Sequence, residues 1–143
     1  MRECDGHESA FHLFDEVLLR GKRIFAFGND DAHNTHNEEI IGQAWNMIES
    51  DGHGYGDLRD AIQSGRFYVS TGGRITKAVM QGGRFSVECP VDSRIAFVVN
   101  GERVLCRAGK EAHYELRHGE RYVRAEIESA EGRAYTQAAF PDD

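Results

Sequence analysis

From residue 66 to residue 140 the chain runs in short stretches of alternating apolar and polar residues separated by turn residues, and few folds accept that pattern. "RFSVEC" sets Phe85, Val87 and Cys89 on one side, "SRIAFVV" sets Ile95, Phe97 and Val99 together, and "EAHYEL" alternates Ala112, Tyr114 and Leu116 with His113 and Glu115. "RYVRAEIE" places Val123, Ala125 and Ile127 inward and Arg124, Glu126 and Glu128 outward, and "AYTQAAF" closes the series. Successive side chains on a strand point to opposite faces, so each stretch buries one face and wets the other. Gly72-Gly73, Gly82-Gly83, Asn100-Gly101, Gly109-Lys110, His118-Gly119 and Glu131-Gly132 supply the turns. Asn-Gly is the strongest hairpin signal among them, because both residues accept positive φ. The expectation is a small antiparallel β-sandwich over residues 66–143.

Residues 1–65 read differently. Ser9 can cap a helix whose apolar stripe is Phe11, Phe14, Val17 and Leu18, and Gly21 stands where a terminating glycine belongs. "IFAFG" (24–28) is apolar on both alternations, the mark of a strand buried on both faces as in a parallel sheet covered by helices. "AWNMIES" is a short strand candidate. "GDLRDAIQSG" predicts a short helix capped by Asp57, with Leu58, Ala61 and Ile62 on one face and Gly65 at its end. The fold class expected is therefore α+β: a terminal helix–strand piece of an α/β barrel, then the sandwich. That strand lacks barrel neighbours in this sequence. Residues 9–36 are accordingly expected to be loosely ordered or covered by a second copy, a homo-oligomer with Ile24, Phe25 and Phe27 at the contact.

Composition narrows the function classes. The 143 residues suit a single domain, and the charge of −7 with scattered basic residues argues against nucleic acid or an anionic membrane as partner. Cys4, Cys89 and Cys106 are odd in number and without CxxC spacing, which reads as reduced thiols in a cytoplasmic protein. The opening "MRECDGHESA" has no apolar core of a signal peptide, and "IAFVV" is too short to cross a bilayer.

The chemistry concentrates in "AFGNDDAHNTH" (26–36). Asp31 and His33 are two residues apart after an extended run, which in strand geometry places them on one side, roughly 6–7 Å apart at Cα. A carboxylate and an imidazole so placed can converge on a zinc, manganese or iron ion. Asn, Asp and Gly are equally the common residues of a polar turn. His36 reads as a solvated loop residue and "STGG" (70–73) as a turn without the frame of a phosphate loop. "DGHGYGD" (51–57) reads as a connector with Tyr55 packed, and Trp45, Phe67 and Tyr68 read as core aromatics.

Four stretches, "FDEVLLRGKRIFAFGNDDAH" (14–33), "GQAW" (42–45), "AIQSGRFYVSTGG" (61–73) and "YVRAEIESAEGRAYTQAAF" (122–140), resemble the C-terminal portion of PHP-domain (polymerase and histidinol phosphatase) metal-dependent phosphoesterases. The resemblance spans nearly the whole chain. It implies that Asp31 and His33 are ligands from the family's last metal motif, and that the intact enzyme hydrolyses a small phosphate ester with a divalent metal. The family's other ligands begin with a His-x-His pair, and no His-x-His occurs here. His7 and His12 stand before or within the first helix. Two ligands alone should hold Mn, Zn or Fe weakly, so this chain is expected to be inactive by itself. The alternative is a stand-alone β-sandwich that binds a partner without catalysis.

Overall fold

The computed structural model describes residues 10–32 and 41–143. Ser9 lies outside them. Helix α1 (Phe11–Leu19) follows Ala10 with no side-chain cap, and it buries Phe14, Asp15 and Leu18. Gly21, at φ 82°, ends it as the sequence predicts. Its N–H donates to the Leu18 carbonyl and that of Lys22 to the Val17 carbonyl, the paired bonds that a left-handed glycine makes possible. Helix α2 (Tyr55–Gln63) closes the same way through Gly65. Asp57 does not sit at its cap. It stands three residues in and reaches back to accept the Gly54 N–H at 3.2 Å.

The strands are β1 (Trp45–Ile48), β2 (Phe67–Ser70), β3 (Lys77–Gln81), β4 (Arg84–Val99), β5 (Glu102–Glu115), β6 (Val123–Ser129) and β7 (Gly132–Tyr135). All pair antiparallel, in the order β1-β2-β7-β6-β4-β3 with β5 on β4. The antiparallel character expected from the sequence is present. In place of a sandwich of two sheets there is one sheet that curls into a half-barrel. The reason lies in β4 and β5. The runs "RFSVEC" and "SRIAFVV" join through Pro90 into one 16-residue strand, and Gly109-Lys110 lies inside β5 rather than in a turn. Between the pairs Glu88↔Glu111 and Ser93↔Gly109, four residues of β4 oppose one of β5. Such an irregularity bends a strand and raises its twist. One half of β4 therefore pairs with β3 and the other with β6, and the sheet folds over its own core.

Register sorts the faces. Ile95, Phe97 and Val99 stand opposite Ile127, Ala125 and Val123, and these join Val87, Phe85, Tyr114 and Ala134 in the main core. The other face carries Arg94, Ala96 and Val98 opposite Glu128, Glu126 and Arg124. There α1 lies down, packing Phe14 and Leu18 on Tyr122 with Phe11, Ala26, Ala138 and Phe140 around them. Arg124 points away from the core as expected, yet it is not solvated. Its side chain is only 3% exposed beneath α1, where Nε and Nη2 donate to the two Asp15 oxygens at 2.9 and 2.8 Å. Tyr122 Oη donates to Asp15 at 2.8 Å, and the Arg124 guanidinium lies 4.6 Å from the Phe11 ring centre.

The turns follow sequence chemistry. Asn100 and Gly101, at φ 50° and 86°, form the two-residue hairpin between β4 and β5, and Gly82-Gly83 forms the one between β3 and β4. Gly132 is held more tightly: at φ 135°, an added Cβ would lie 2.4 Å from the Thr71 carbonyl oxygen. Gly132→Ala is expected to lower stability by about 2 kcal/mol or more, from forbidden backbone geometry plus the clash. Gly82, with open space around it and φ 57°, should accept asparagine at a cost of about 1 kcal/mol or less. Urea unfolding of both variants checks the contrast, and equal losses would count against the close approach of the two loops.

Candidate functional site

"IFAFG" is not a strand buried on both faces. Among the described residues, 24–28 form no ladder with another strand, and Ile24, Phe25 and Phe27 are 38%, 39% and 56% exposed. The segment is held by side chains instead. The Gln137 carboxamide accepts from the Ala26 N–H and donates to its carbonyl, both at 2.9 Å. The Asn46 carboxamide does the same for Gly28, at 2.9 and 2.8 Å. A carboxamide presents one donor and one acceptor side by side, so it can satisfy a residue's backbone as a neighbouring strand does. An added Cβ at Gly28 would crowd Val69 Cγ1, at 2.6 Å, so a larger residue there forces a shift. Phe25 and Phe27 rest on Phe67, with ring centres 5.7 and 4.7 Å away.

This segment delivers the polar turn. Asp30 Oδ2 accepts from the Gly42 N–H at 2.7 Å, and Oδ1 accepts from the Gln43 and Ala44 N–H groups at 2.6 and 2.8 Å. The bond from Ala44 above all, then those from Gly42 and Gln43, hold the Asp30 carboxyl below the usual carboxylate value. Gly42, at φ 77°, turns the chain so that these donors converge. Asp31 follows in the left-handed region at φ 49°, and its N–H donates to Asn29 Oδ1 at 2.8 Å. Asp31 is exposed. His33, its expected partner, lies outside the described residues, as do His36, His7 and Cys4.

The donor chemistry is compatible with a divalent ion. A carboxylate at Asp31 and an imidazole at His33 suit manganese, zinc or iron, and Asp30 has both oxygens engaged by backbone. Among the described residues no group of three or more His, Cys, Asp or Glu side chains stands close enough to hold a metal. Such a pair is a partial donor set.

The remaining candidates resolve as structure. In "STGG", Ser70 Oγ donates to the Gly73 carbonyl at 2.7 Å and accepts from the Gly72 N–H at 3.0 Å, a self-satisfied turn. Tyr55, expected to pack, is 82% exposed at the start of α2. Phe67 is core, whereas Trp45 stands exposed on the edge strand β1. Cys89 and Cys106 are free thiols, the first buried with its pKa pushed up by that burial. Sequence reasoning missed Asp30, Asn46 and Gln137. The only signal for them was polar side chains sitting in or beside apolar strand-like runs. No helix among the described residues is long and apolar enough to cross a membrane.

The fold and this turn together define an antiparallel half-barrel with an acidic turn secured to its edge by side-chain amides and a backbone nest. Compared with protein-family models, curated proteins and solved structures, the chain finds no match.

Proposed function

We propose that this chain is the terminal part of a PHP-type metal-dependent phosphoesterase, contributing Asp31 and His33 to a metal centre whose other ligands come from outside it. The observation that carries the reading is the placement of Asp31, exposed next to the backbone-anchored Asp30 and two residues before a histidine in the sequence. When bound, the metal supplies a polarised water and offsets charge on a phosphate ester. The chain's own residues hold the acid in place: Gln137 and Asn46 fix the approach, and Asp30 anchors the turn.

The test is metal association and turnover by the purified chain. Weak, saturable Mn²⁺ association lost in Asp31→Asn, with no turnover of p-nitrophenyl phosphate, is the expected result. Robust turnover abolished by His33→Ala would show a complete enzyme and overturn the terminal-part reading.

One observation favours a second reading, a binding module without catalysis. Ile24, Phe25 and Phe27 are exposed on the segment, and Trp45, Met47 and Ile48 are exposed on the edge strand β1 that Asn46 ties to it. Apolar side chains beside an unpaired strand edge invite association. Under this reading the occupant is a second copy, and light scattering over a dilution series should show Phe25→Asp shifting the chain to monomer while metal has no effect.

A further inference from the structure

We infer that the concave side of the half-barrel binds a small amphiphile, an apolar chain that ends in a single anionic group. A cavity of about 760 Å³ opens there, between the edge strand β3, the strands β1 and β2, and residues 136–140. Ligand cavities span about 300–1,000 Å³ and set a few polar groups in a mostly apolar lining. Asp31 is not among the lining residues, so the site stands apart from the metal-centre reading.

Register gives the cavity its cause. Met47 stands opposite Tyr68 and Ala78 opposite Val87, and residues paired across antiparallel strands share a face. Val87 belongs to the main core and Tyr68 packs against it, yet Met47 is 39% exposed and Ala78 is exposed. Strands β1 and β3 are the two ends of the strand path, and among the described residues they do not pair with each other. The curl therefore stops short of closing, and the inward faces of both edges look into the cavity. Ile75, Met80 and Phe85, each 9% exposed or less, form its apolar floor.

The polar groups select the head. Three cations line the cavity, Arg23, Arg66 and Lys77, with two acids, Glu49 and Asp143. The whole chain has 17 basic and 24 acidic residues, so the cavity reverses the sign of the protein around it. Arg23 is committed, since it pairs with Asp142 and Asp143 and lies 4.0 Å from the Phe140 ring centre. Arg66 and Lys77 hold Asp51 and Glu88 at 3.1 and 3.0 Å, in pairs whose side chains are 40% to 85% exposed. Such solvated pairs yield to an anion that brings apolar contact with it. Tyr68 adds a donor: its hydroxyl oxygen accepts the Ile75 N–H at 3.2 Å and keeps its own proton to give. A chain lying on Met47, Ala78 and Met80 gains a contact that a bare anion such as phosphate lacks.

The experiment titrates monomeric decanoate into the full chain and reads the methyl signals of Met47 and Met80 by NMR, with decanol as the uncharged comparison. Saturable shifts of both signals are expected, with decanol bound about tenfold more weakly, the loss that goes with one charge-assisted hydrogen bond. Arg66→Gln combined with Lys77→Gln should bring decanoate down to the affinity of decanol. Ala78→Phe, at an exposed edge position, should fill the cavity and remove both ligands while the thermal midpoint is kept. No saturable shift overturns the inference. So does decanol binding as tightly as decanoate, or decanoate binding that the double variant leaves unchanged. Signals that move with protein dilution instead of with decanoate would put a second copy in the cavity, which overturns it as well.

Discussion

Asp15→Ala is expected to lower the unfolding free energy by about 3 kcal/mol, because it removes the carboxylate that takes two bonds from a buried arginine and one from a buried tyrosine, leaving Glu126 as the arginine's counter-charge. Arg124 is clamped by both Asp15 oxygens and also donates to Glu126 at 2.8 Å, and Tyr122 donates to the same carboxylate. Removing Asp15 leaves two guanidinium N–H groups and a hydroxyl without their acceptor between α1 and the sheet, while the bond to Glu126 remains. The cost reflects these buried unpaired groups more than the worth of the pair. Replacing both partners, Asp15→Leu with Arg124→Met, should therefore be less damaging than Asp15→Ala alone. Urea denaturation of the single and double variants measures the difference. A loss below about 1 kcal/mol for Asp15→Ala, the range of an exposed pair, would show that α1 is not docked as described.

The same cluster sets the pH limits of stability. Burial raises the Tyr122 pKa above its ordinary 10.0, and the bond to Asp15 raises it further. A raised pKa stabilises the fold below the unfolded value, so this contribution is lost as pH climbs past about 10, where the unfolded chain ionises first. Glu126 runs the other way. Burial pushes its carboxyl up, but the bonds and charges of Arg124 and Arg103 outweigh it and hold the pKa below the ordinary 4.5. That contribution is present above the ordinary value and disappears as pH falls through the lowered one. Stability should hold across neutral pH and fall at both ends, and Tyr122→Phe should flatten the alkaline fall.

Phe97→Ala should cost about 3–5 kcal/mol, the range for truncating a fully buried aromatic. Phe97 has no exposed surface, and it packs edge-on to Phe85 with ring centres 6.3 Å apart and beside Tyr114 at 6.0 Å. It sits where β5, β4 and β6 lie side by side, opposite Leu105 and Ala125. The void would fall inside the curl, where the backbone of a continuous sheet cannot collapse to fill it. Ala108, exposed on the outer strand β5, serves as the control: Ala108→Ser should change stability by about 0.5 kcal/mol or less. A Phe97→Ala loss below 1 kcal/mol would contradict the strand phase on which the fold description depends.

Much of this architecture is written locally. The inward set Phe85, Val87, Ile95, Phe97, Val99, Val123, Ala125 and Ile127 is legible because strand side chains alternate regardless of what the strand meets. Asn100-Gly101, Gly21 and Gly65 mark their turn and helix ends because positive φ is a property of the residue itself. Asp31 was legible as a polar residue beside a histidine. Its left-handed backbone, and the engagement of Asp30 by the N–H groups of residues 42–44, are not carried by local pattern.

What only the tertiary structure decided are the choices made between segments. Alternation reads the same whether two strands are separate or joined, so the merging of 84–99 and the bend opposite Lys110 could not be read from residue types. Two apolar faces on 24–28 suggested strand neighbours. Carboxamides of Gln137 and Asn46, 111 and 18 residues away, met its backbone instead, and the side chains stayed partly exposed. Arg124 carried the pattern of a solvated outer face, and α1 covered it because Asp15 offered a charge to match. Residue type and spacing therefore determined which side each chain segment turns inward. Which segments meet, and which polar groups find partners there, was decided by packing, since a hydrogen bond or ion pair forms wherever the fold brings its halves within reach.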